Sequence, residues 1–289
     1  MNDFPVTPAF ALTRLGLISV TGADARTYLQ GQLSFDLDAL TTSRIELASC
    51  NSSQGRVQAV LWIAERTDGV VLLVPREILD ATVARLRKYV LRSKVKVENG
   101  AEKFVLGGSF DAVLPTPRAH EQRAQTSLIA WPGSPSRTLF IAPADTALTA
   151  DAAAETRWHL GDIEAGLTQV YAGTQEQFVA QMLNLDLLGG ISFEKGCYTG
   201  QEIIARTHFR GTVKRRTLRF AARCKAPAPG TRILDATGGH AGDVVDSVAT
   251  ADGCELLAVI SLTQADHALQ LADIEDSSLH RKPLPYEVA

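Results

Sequence analysis

After Thr217 the chain is built from short apolar stretches. These are Thr217 to Cys224, Arg232 to Leu234, Gly242 to Ala249 and Leu256 to Leu262, separated by Pro229-Gly230, Gly238-Gly239 and Asp252-Gly253. Strands of this length with glycine turns between them predict a small β-barrel or sandwich, because no segment between them is long enough for a crossover helix. A boundary near residue 214 follows, with residues 214–289 as a C-terminal β-barrel domain and residues 1–213 as a mixed α+β region.

The mixed region alternates strands and helices. Leu15 to Val20 reads as a strand, and Thr21 is placed to cap a helix through Ala25, Tyr28, Leu29 and Leu33. Val57 to Ala64 and Val70 to Val74 flank Asp68-Gly69, which predicts a hairpin. Leu79, Val83, Leu86 and Val90 form one helical stripe, followed by a short strand at Val95 to Val97 and a turn at Asn99-Gly100. Residues 111–137, with prolines at 115, 117, 132 and 135, read as a loop-rich excursion anchored by Trp131. Thr138 to Ala142 is a strand and Asp151 to about Leu160 a helix. A further helix is expected over Glu176 to Leu187, ended by Gly189-Gly190.

A chain of 289 residues, 45% apolar and 21% charged, has the composition of a globular protein with a sizeable core. Its apolar runs are too short for a membrane helix and no signal-like leader is present, so a cytoplasmic protein is expected. Cys50, Cys197, Cys224 and Cys254 are far apart in sequence, without metal-ligand spacing, so no protein-bound metal is expected. Nucleotide-loop, serine-hydrolase and zinc-protease patterns are absent. His208 falls two helical turns from Cys197, which argues against cysteine-protease chemistry.

Chemistry concentrates at Lys195-Gly196-Cys197-Tyr198-Thr199-Gly200-Gln201-Glu202. Thr199 and Glu202 have capping-box spacing and Tyr198 and Ile203 the spacing of a hydrophobic staple, so a helix should begin at Gly200. Cys197 then lies at a helix N-terminus with Lys195 two residues away, a setting that favours a thiolate. A small buried apolar cysteine in a tight turn is the other reading of the same pattern. Downstream, eight basic residues from Arg206 to Lys225 occur without an acid. They suit an anionic ligand or acidic partner, or a strand face balanced by acids elsewhere; with only Phe209 and Phe220 between them, they lack the aromatics of a single-strand nucleic-acid platform, and nucleic acid is not the expected partner. Trp158 and Glu164 are candidates for a cleft wall and a carboxylate.

The octapeptide resembles the signature of the YgfZ-type folate-binding proteins of iron–sulfur cluster assembly, relatives of the glycine-cleavage T-protein, an aminomethyltransferase. The resemblance extends to Asn184-Leu185, Gly189 to Phe193, Arg206, Phe209-Arg210-Gly211, Lys214-Arg215, Tyr28 to Gln32 with Asp36, Leu91 to Val95 and Leu284-Pro285-Tyr286. It implies a T-protein-like cloverleaf of small α+β units around a central channel that holds tetrahydrofolate. It also implies Cys197 and Lys195 as the functional centre, with Tyr198, Gln201, Glu202, Arg206, Arg210, Trp158, Glu164 and Asn184 as folate contacts. Where the T-protein has a catalytic aspartate after a hairpin glycine, this chain reads Gly55-Arg56-Val57-Gln58-Ala59-Val60, without a carboxylate. Ordinary aminomethyl turnover is therefore not expected. The implied role is a folate-binding accessory factor for [4Fe–4S] assembly or repair, meeting cluster-carrying or client proteins and sharing any transient cluster with them. A folate-dependent one-carbon transferase or demethylase is the alternative, and a tRNA-modification accessory protein a weaker one.

Overall fold

The computed structural model describes residues 9–288. The chain opens with β1 (Phe10–Ala11) and β2 (Leu15–Thr21), then α1 (Ala25–Gln30), β3 (Glu46–Asn51), β4 (Val57–Arg66), β5 (Gly69–Pro75), α2 (Leu79–Arg87) and β6 (Lys96–Asn99). Strands β2 to β6 form an antiparallel sheet in the order β3-β4-β5-β2-β6. The hairpin expected at Asp68-Gly69 is present, with Arg66 opposite Gly69. Ile18, Leu29, Leu61, Leu72 and Leu86 are wholly buried where α1 and α2 cover one face of this sheet. Thr21 does not cap α1; it ends β2, and Asp24 stands at the cap with its carboxylate accepting from the Lys94 N–H at 2.7 Å.

A second sheet has the order β1-β7-β10-β9-β8, from β7 (Phe104–Ser109), β8 (His120–Arg123), β9 (Thr126–Trp131) and β10 (Arg137–Pro143). Residues 111–137 are therefore less loop-like than expected: the prolines occupy flanking turns, and the β8–β9 hairpin lies between them. The anchor role of Trp131 holds, since its buried ring packs 5.1 Å from that of Trp62. α3 (Ala152–Glu164) follows, capped by the Asp151 carboxylate accepting from the Ala154 N–H at 2.9 Å.

The helix expected over 176–187 does not form. Glu176 and Asn184 have positive φ, at 61° and 56°, and between them the chain pairs with β4: Val57 N–H donates to Phe178 O and Glu176 N–H to Val57 O, both at 2.8 Å. A single 3-10 turn spans Ala180–Leu183. Tertiary contacts override periodicity here, because Phe178, Leu183 and Leu185 are drawn into the common core while the backbone finds partners on a sheet edge.

After α4 (Gln201–Arg210), the third sheet begins at β11 (Arg215–Ala222) and continues through β12 (Arg232–Asp235), β13 (His240–Thr250), β14 (Gly253–Ser261), β15 (Leu269–Leu271) and β16 (His280–Lys282). Its order, β15-β12-β13-β14-β11-β16, makes a curled half-barrel. One hydrophobic cluster joins all three sheets through Trp62, Trp131, Trp158, Phe178, Val245 and Leu257. The units thus meet over a shared centre. Among the described residues no helix is long and apolar enough to cross a membrane.

Candidate functional site

Two sites can be built from the residues upward. The first is the motif loop, which docks on the segment following α1. Lys195 is buried, and its ammonium donates to three backbone carbonyls, Gln30 O at 2.7 Å, Leu33 O at 2.9 Å and Phe35 O at 2.7 Å. All three of its protons are thereby used. Burial lowers its pKa from 10.5 to about 8, with Asp36 and Asp38 pulling the other way. Thr199 N–H to Gly31 O and Ser192 N–H to Ser34 O complete the seam. Lys195 therefore fixes the loop, its three donors spent on backbone carbonyls. Cys197 is exposed, so the buried-cysteine reading is excluded, and a Cβ at the neighbouring Gly196 would meet nothing within 4 Å. The surface beside the sulfur is open.

α4 starts at Gln201, but no capping box forms. Gly200 occupies the cap with φ at 82°, and a Cβ there would lie 2.5 Å from Ser52 O and 2.9 Å from the Gly55 Cα. The tip of the β3–β4 hairpin presses so closely on the motif that a glycine must cap the helix. Glu202 is released to pair with Arg206 at 2.9 Å on the exposed face. The expected staple shifts as well: Ile204, not Ile203, is the buried residue of α4, in the same cluster as Tyr198. Tyr198 N–H is 3.3 Å from the Gln201 side-chain oxygen, and the buried Tyr198 hydroxyl has no partner among the described residues.

Half of the basic run is neutralised by the fold, Arg206 by Glu202 among them. Arg215 pairs with Asp243 at 2.8 Å, Arg216 with Asp186 at 2.6 Å, and Arg219 with Glu255 at 2.6 Å and Glu164 at 3.1 Å. Arg210, Lys214, Arg223 and Lys225 have no carboxylate within ion-pair distance among the described residues. Arg206 and Arg210 flank a shallow depression on α4 with Glu202 and Phe209.

The second site lies where the three sheets meet. Arg14, Trp62, Trp131, Trp158, His159 and Asp246 are among the residues lining a narrow cavity of about 30 Å³. Asp246 enters through a β-bulge: Val244 pairs with Ala258 and Asp246 with Leu257, leaving Val245 unopposed. Such an extra residue re-aims the side chain that follows it. The buried carboxylate accepts from Tyr171 OH at 2.8 Å and faces His159 Nε2 with both oxygens at 3.0 Å. Two carboxylate oxygens at that distance require Nε2 to carry a proton, so Arg14, 3.3 Å from Nε2, contributes charge there and donates its hydrogen bond to Tyr171 OH at 3.3 Å.

Burial alone would raise the Asp246 pKa; His159, Arg14 and the Tyr171 hydrogen bond more than offset it and hold the carboxyl below its ordinary range. Burial, and then Asp246, push Tyr171 well above 10, so it remains a phenol. Nearby, Asp162 accepts from Trp131 Nε1 at 2.8 Å and from Arg137 at 3.0 Å. The indole N–H groups of Trp62 and Trp158 and the side-chain oxygen of Gln169 are buried without partners among the described residues. Unspent donors beside carboxylates on an aromatic wall suit a flat polar heterocycle.

Trp158 is thus the one expected folate contact that lines this pocket. Glu164 points instead to Arg219, and Asn184 is buried in a left-handed turn, donating to Thr217 O at 2.8 Å. The motif residues Lys195 to Glu202 do not line it either. Arg14, His159, Tyr171 and Asp246 were missed by sequence reasoning. One signal was available for Asp246, a lone acid within the apolar strand Val244-Val245-Asp246-Ser247-Val248. Among the described residues no group of three or more His, Cys, Asp or Glu is placed to hold a metal.

No family model matches the chain. Individual relatives do. The tRNA-modifying protein YgfZ of Yersinia enterocolitica is 31% identical over 312 residues, covering 99% of this chain and 94% of the relative. That of Serratia proteamaculans is 31% identical over 313 residues, covering 100% and 94%. Among solved structures, aminomethyltransferase T of the glycine cleavage system from Bartonella henselae superposes with a TM-score of 0.74 at 15% identity, over 96% of this chain and 85% of that one, which establishes the shared fold. With full-length identity to the curated relatives and a motif loop and three-sheet centre both in place, the chain belongs to the YgfZ family.

Proposed function

We propose that this protein is a tetrahydrofolate-binding accessory factor supporting assembly or repair of [4Fe–4S] clusters, and that the enzymes it serves include ones that modify tRNA. The observation that carries this reading is the central pocket, with its tryptophan wall, unpartnered indole N–H groups and carboxylates. A pterin ring offers flat faces for Trp158 and Trp62, carbonyl and ring-nitrogen acceptors for their N–H groups, and N–H donors for Asp162 or Glu155. Bound tetrahydrofolate would supply nitrogens able to carry a one-carbon unit. The residues fit the group in kind; the tightness of the space means that the indoles must part to admit it.

In this reading the exposed Cys197, on a loop pinned by Lys195, is presented to a partner at the surface. A single thiolate cannot hold a cluster, so cluster cargo shares ligands with the partner or a small thiol. The tRNA element of the proposal comes from the name of the relatives.

One observation favours a second reading. Tyr171, Asp246 and His159 form a hydrogen-bonded group inside the same pocket, able to hold and move a proton in a one-carbon transferase. Titration with tetrahydrofolate, followed by tryptophan fluorescence and by assay of formaldehyde and methylene-tetrahydrofolate, separates the two. Micromolar binding without turnover, weakened at least tenfold by Trp158→Ala, supports the accessory role. Sustained turnover replaces it with the transferase, and absence of binding removes both. For the thiol, Cys197→Ala should fail to restore iron–sulfur enzyme activities in cells lacking the native protein; full restoration removes Cys197 from the mechanism.

A further inference from the structure

We propose that Cys224 and Cys254 are a reversible oxidation site, at which a small disulfide such as oxidised glutathione converts the two thiols into an intramolecular disulfide. Neither cysteine belongs to the motif loop or the central pocket. Their sulfurs stand 4.0 Å apart. Cys254, buried, lies near the start of β14 opposite Ala222, and Cys224 sits two residues beyond Ala222 and is half-buried. The two segments already touch: a Cβ at Gly253 would fall 2.1 Å from Ala222 O and 2.8 Å from the Arg223 Cα. Closing the sulfurs to bonding distance, about 2.05 Å, asks for a movement of roughly 2 Å near the end of a strand. Cys50 and Cys197 have no comparable neighbour, since Cys50 is buried in the cluster under α1 and α2 and Cys197 stands exposed on the motif loop.

The chemistry balances as a two-step exchange. Cys224, the more accessible thiol, loses its proton and attacks one sulfur of oxidised glutathione; the glutathione S–S bond breaks and one glutathione thiolate leaves. Cys254 then loses its proton and attacks the Cys224 sulfur of the mixed disulfide, expelling the second glutathione thiolate. Two cysteine thiols are oxidised, one glutathione disulfide is reduced, and the two protons finish on the two glutathione thiols. Burial, and then the neighbouring Cys224, push the Cys254 thiol up to about 12, so closure should quicken as the pH rises above neutrality.

The bond would tie the segment after β11 to the β13–β14 hairpin. That segment is already joined to the hairpin through Pro227 O, which accepts from Ser247 Oγ at 2.5 Å, while Ser247 N–H donates to the Asp246 carboxylate at 2.8 Å. The segment that carries Cys224 therefore reaches the central pocket through Pro227 and Ser247.

The test is to equilibrate the full chain with oxidised glutathione, alkylate remaining thiols and map peptides. A cross-linked Cys224–Cys254 peptide is expected, with a rise in melting temperature on the order of 5 °C that dithiothreitol reverses. Cys224→Ser and, separately, Cys254→Ala should abolish both, which keeps the result readable if one variant folds poorly. Cys197, being exposed, will carry a glutathione adduct that mapping distinguishes. Glutathione remaining on Cys224 without the cross-link, or pairing of either cysteine with Cys197, overturns the proposal.

Discussion

The motif loop and the central pocket are held together in opposite ways. The loop is eight consecutive residues fixed mainly by backbone: three carbonyls around Lys195, a seam from Gly31 to Thr199, and a glycine cap against Ser52. The pocket is an assembly of side chains separated by more than two hundred positions, from Arg14 to Asp246, whose charges stabilise one another only once three sheets have met. One site is written in adjacent letters and survives as a local shape. The other exists only in the folded state, so its loss should cost the whole molecule more.

That contrast can be broken at its strongest point by Asp246→Ala. Removing the carboxylate leaves the Tyr171 hydroxyl and the buried His159 ring without their shared partner, at a cost of about 3–5 kcal/mol. Thermal denaturation should show a fall on the order of 10 °C, and an unchanged melting temperature would mean that the pocket network is not structural. The pH sign follows from the lowered native pKa. The carboxylate's contribution is complete above its ordinary value of 3.8 and is lost as the pH falls from there through the native value; wild type should therefore lose more stability below pH 4 than Asp246→Asn.

Lys195→Met comes next. It keeps the length of the stem and strands three carbonyls, but it also removes a desolvated charge, so about 2 kcal/mol is expected. Its pH signature is the reverse of that of Asp246. The native pKa of about 8 lies below the ordinary 10.5, so the unfolded chain binds the proton more tightly. Stability from this group accordingly rises between those two values, and denaturant midpoints of Lys195→Met should lack that rise.

Gly200→Ala tests the cap, since it forces a side chain into positive φ against Ser52 O; a loss of about 1–3 kcal/mol is expected in urea denaturation. Smallest is Glu202→Ala. Its carboxylate meets only the exposed Arg206, so the change should stay within about 0.5 kcal/mol, whereas a capping box would have cost about 1 kcal/mol or more.

The two regions also differ in how legible they were. The start of α4 was readable to within a residue, yet the reason for it was not: Thr199 and Glu202 matched a local rule, while the approach of Gly55 and Ser52 decided the cap. Residues 176–187 failed for the same reason, their apolar spacing serving a shared core and a sheet edge rather than a helix face. In the pocket, Trp158 was noticed as a candidate wall, but His159 next to it had no visible partner until β13 brought Asp246 across.

The sequence by itself determined the glycine-punctuated strands of the last third, the main hairpins and helices, and the one loop whose chemistry is contiguous. It did so because turn conformations, side-chain period and backbone docking are set by neighbours along the chain. Tertiary structure alone decided that Lys195 is a pin and Cys197 an exposed thiol, and that half of the basic run is paired with acids. It also decided that an arginine, a tyrosine, a histidine and an aspartate from four separate segments meet in one hydrogen-bonded cluster around the buried Asp246 carboxylate. Burial and proximity set the charge state and the partners of such groups, and both depend on distances in space that spacing along the chain does not record.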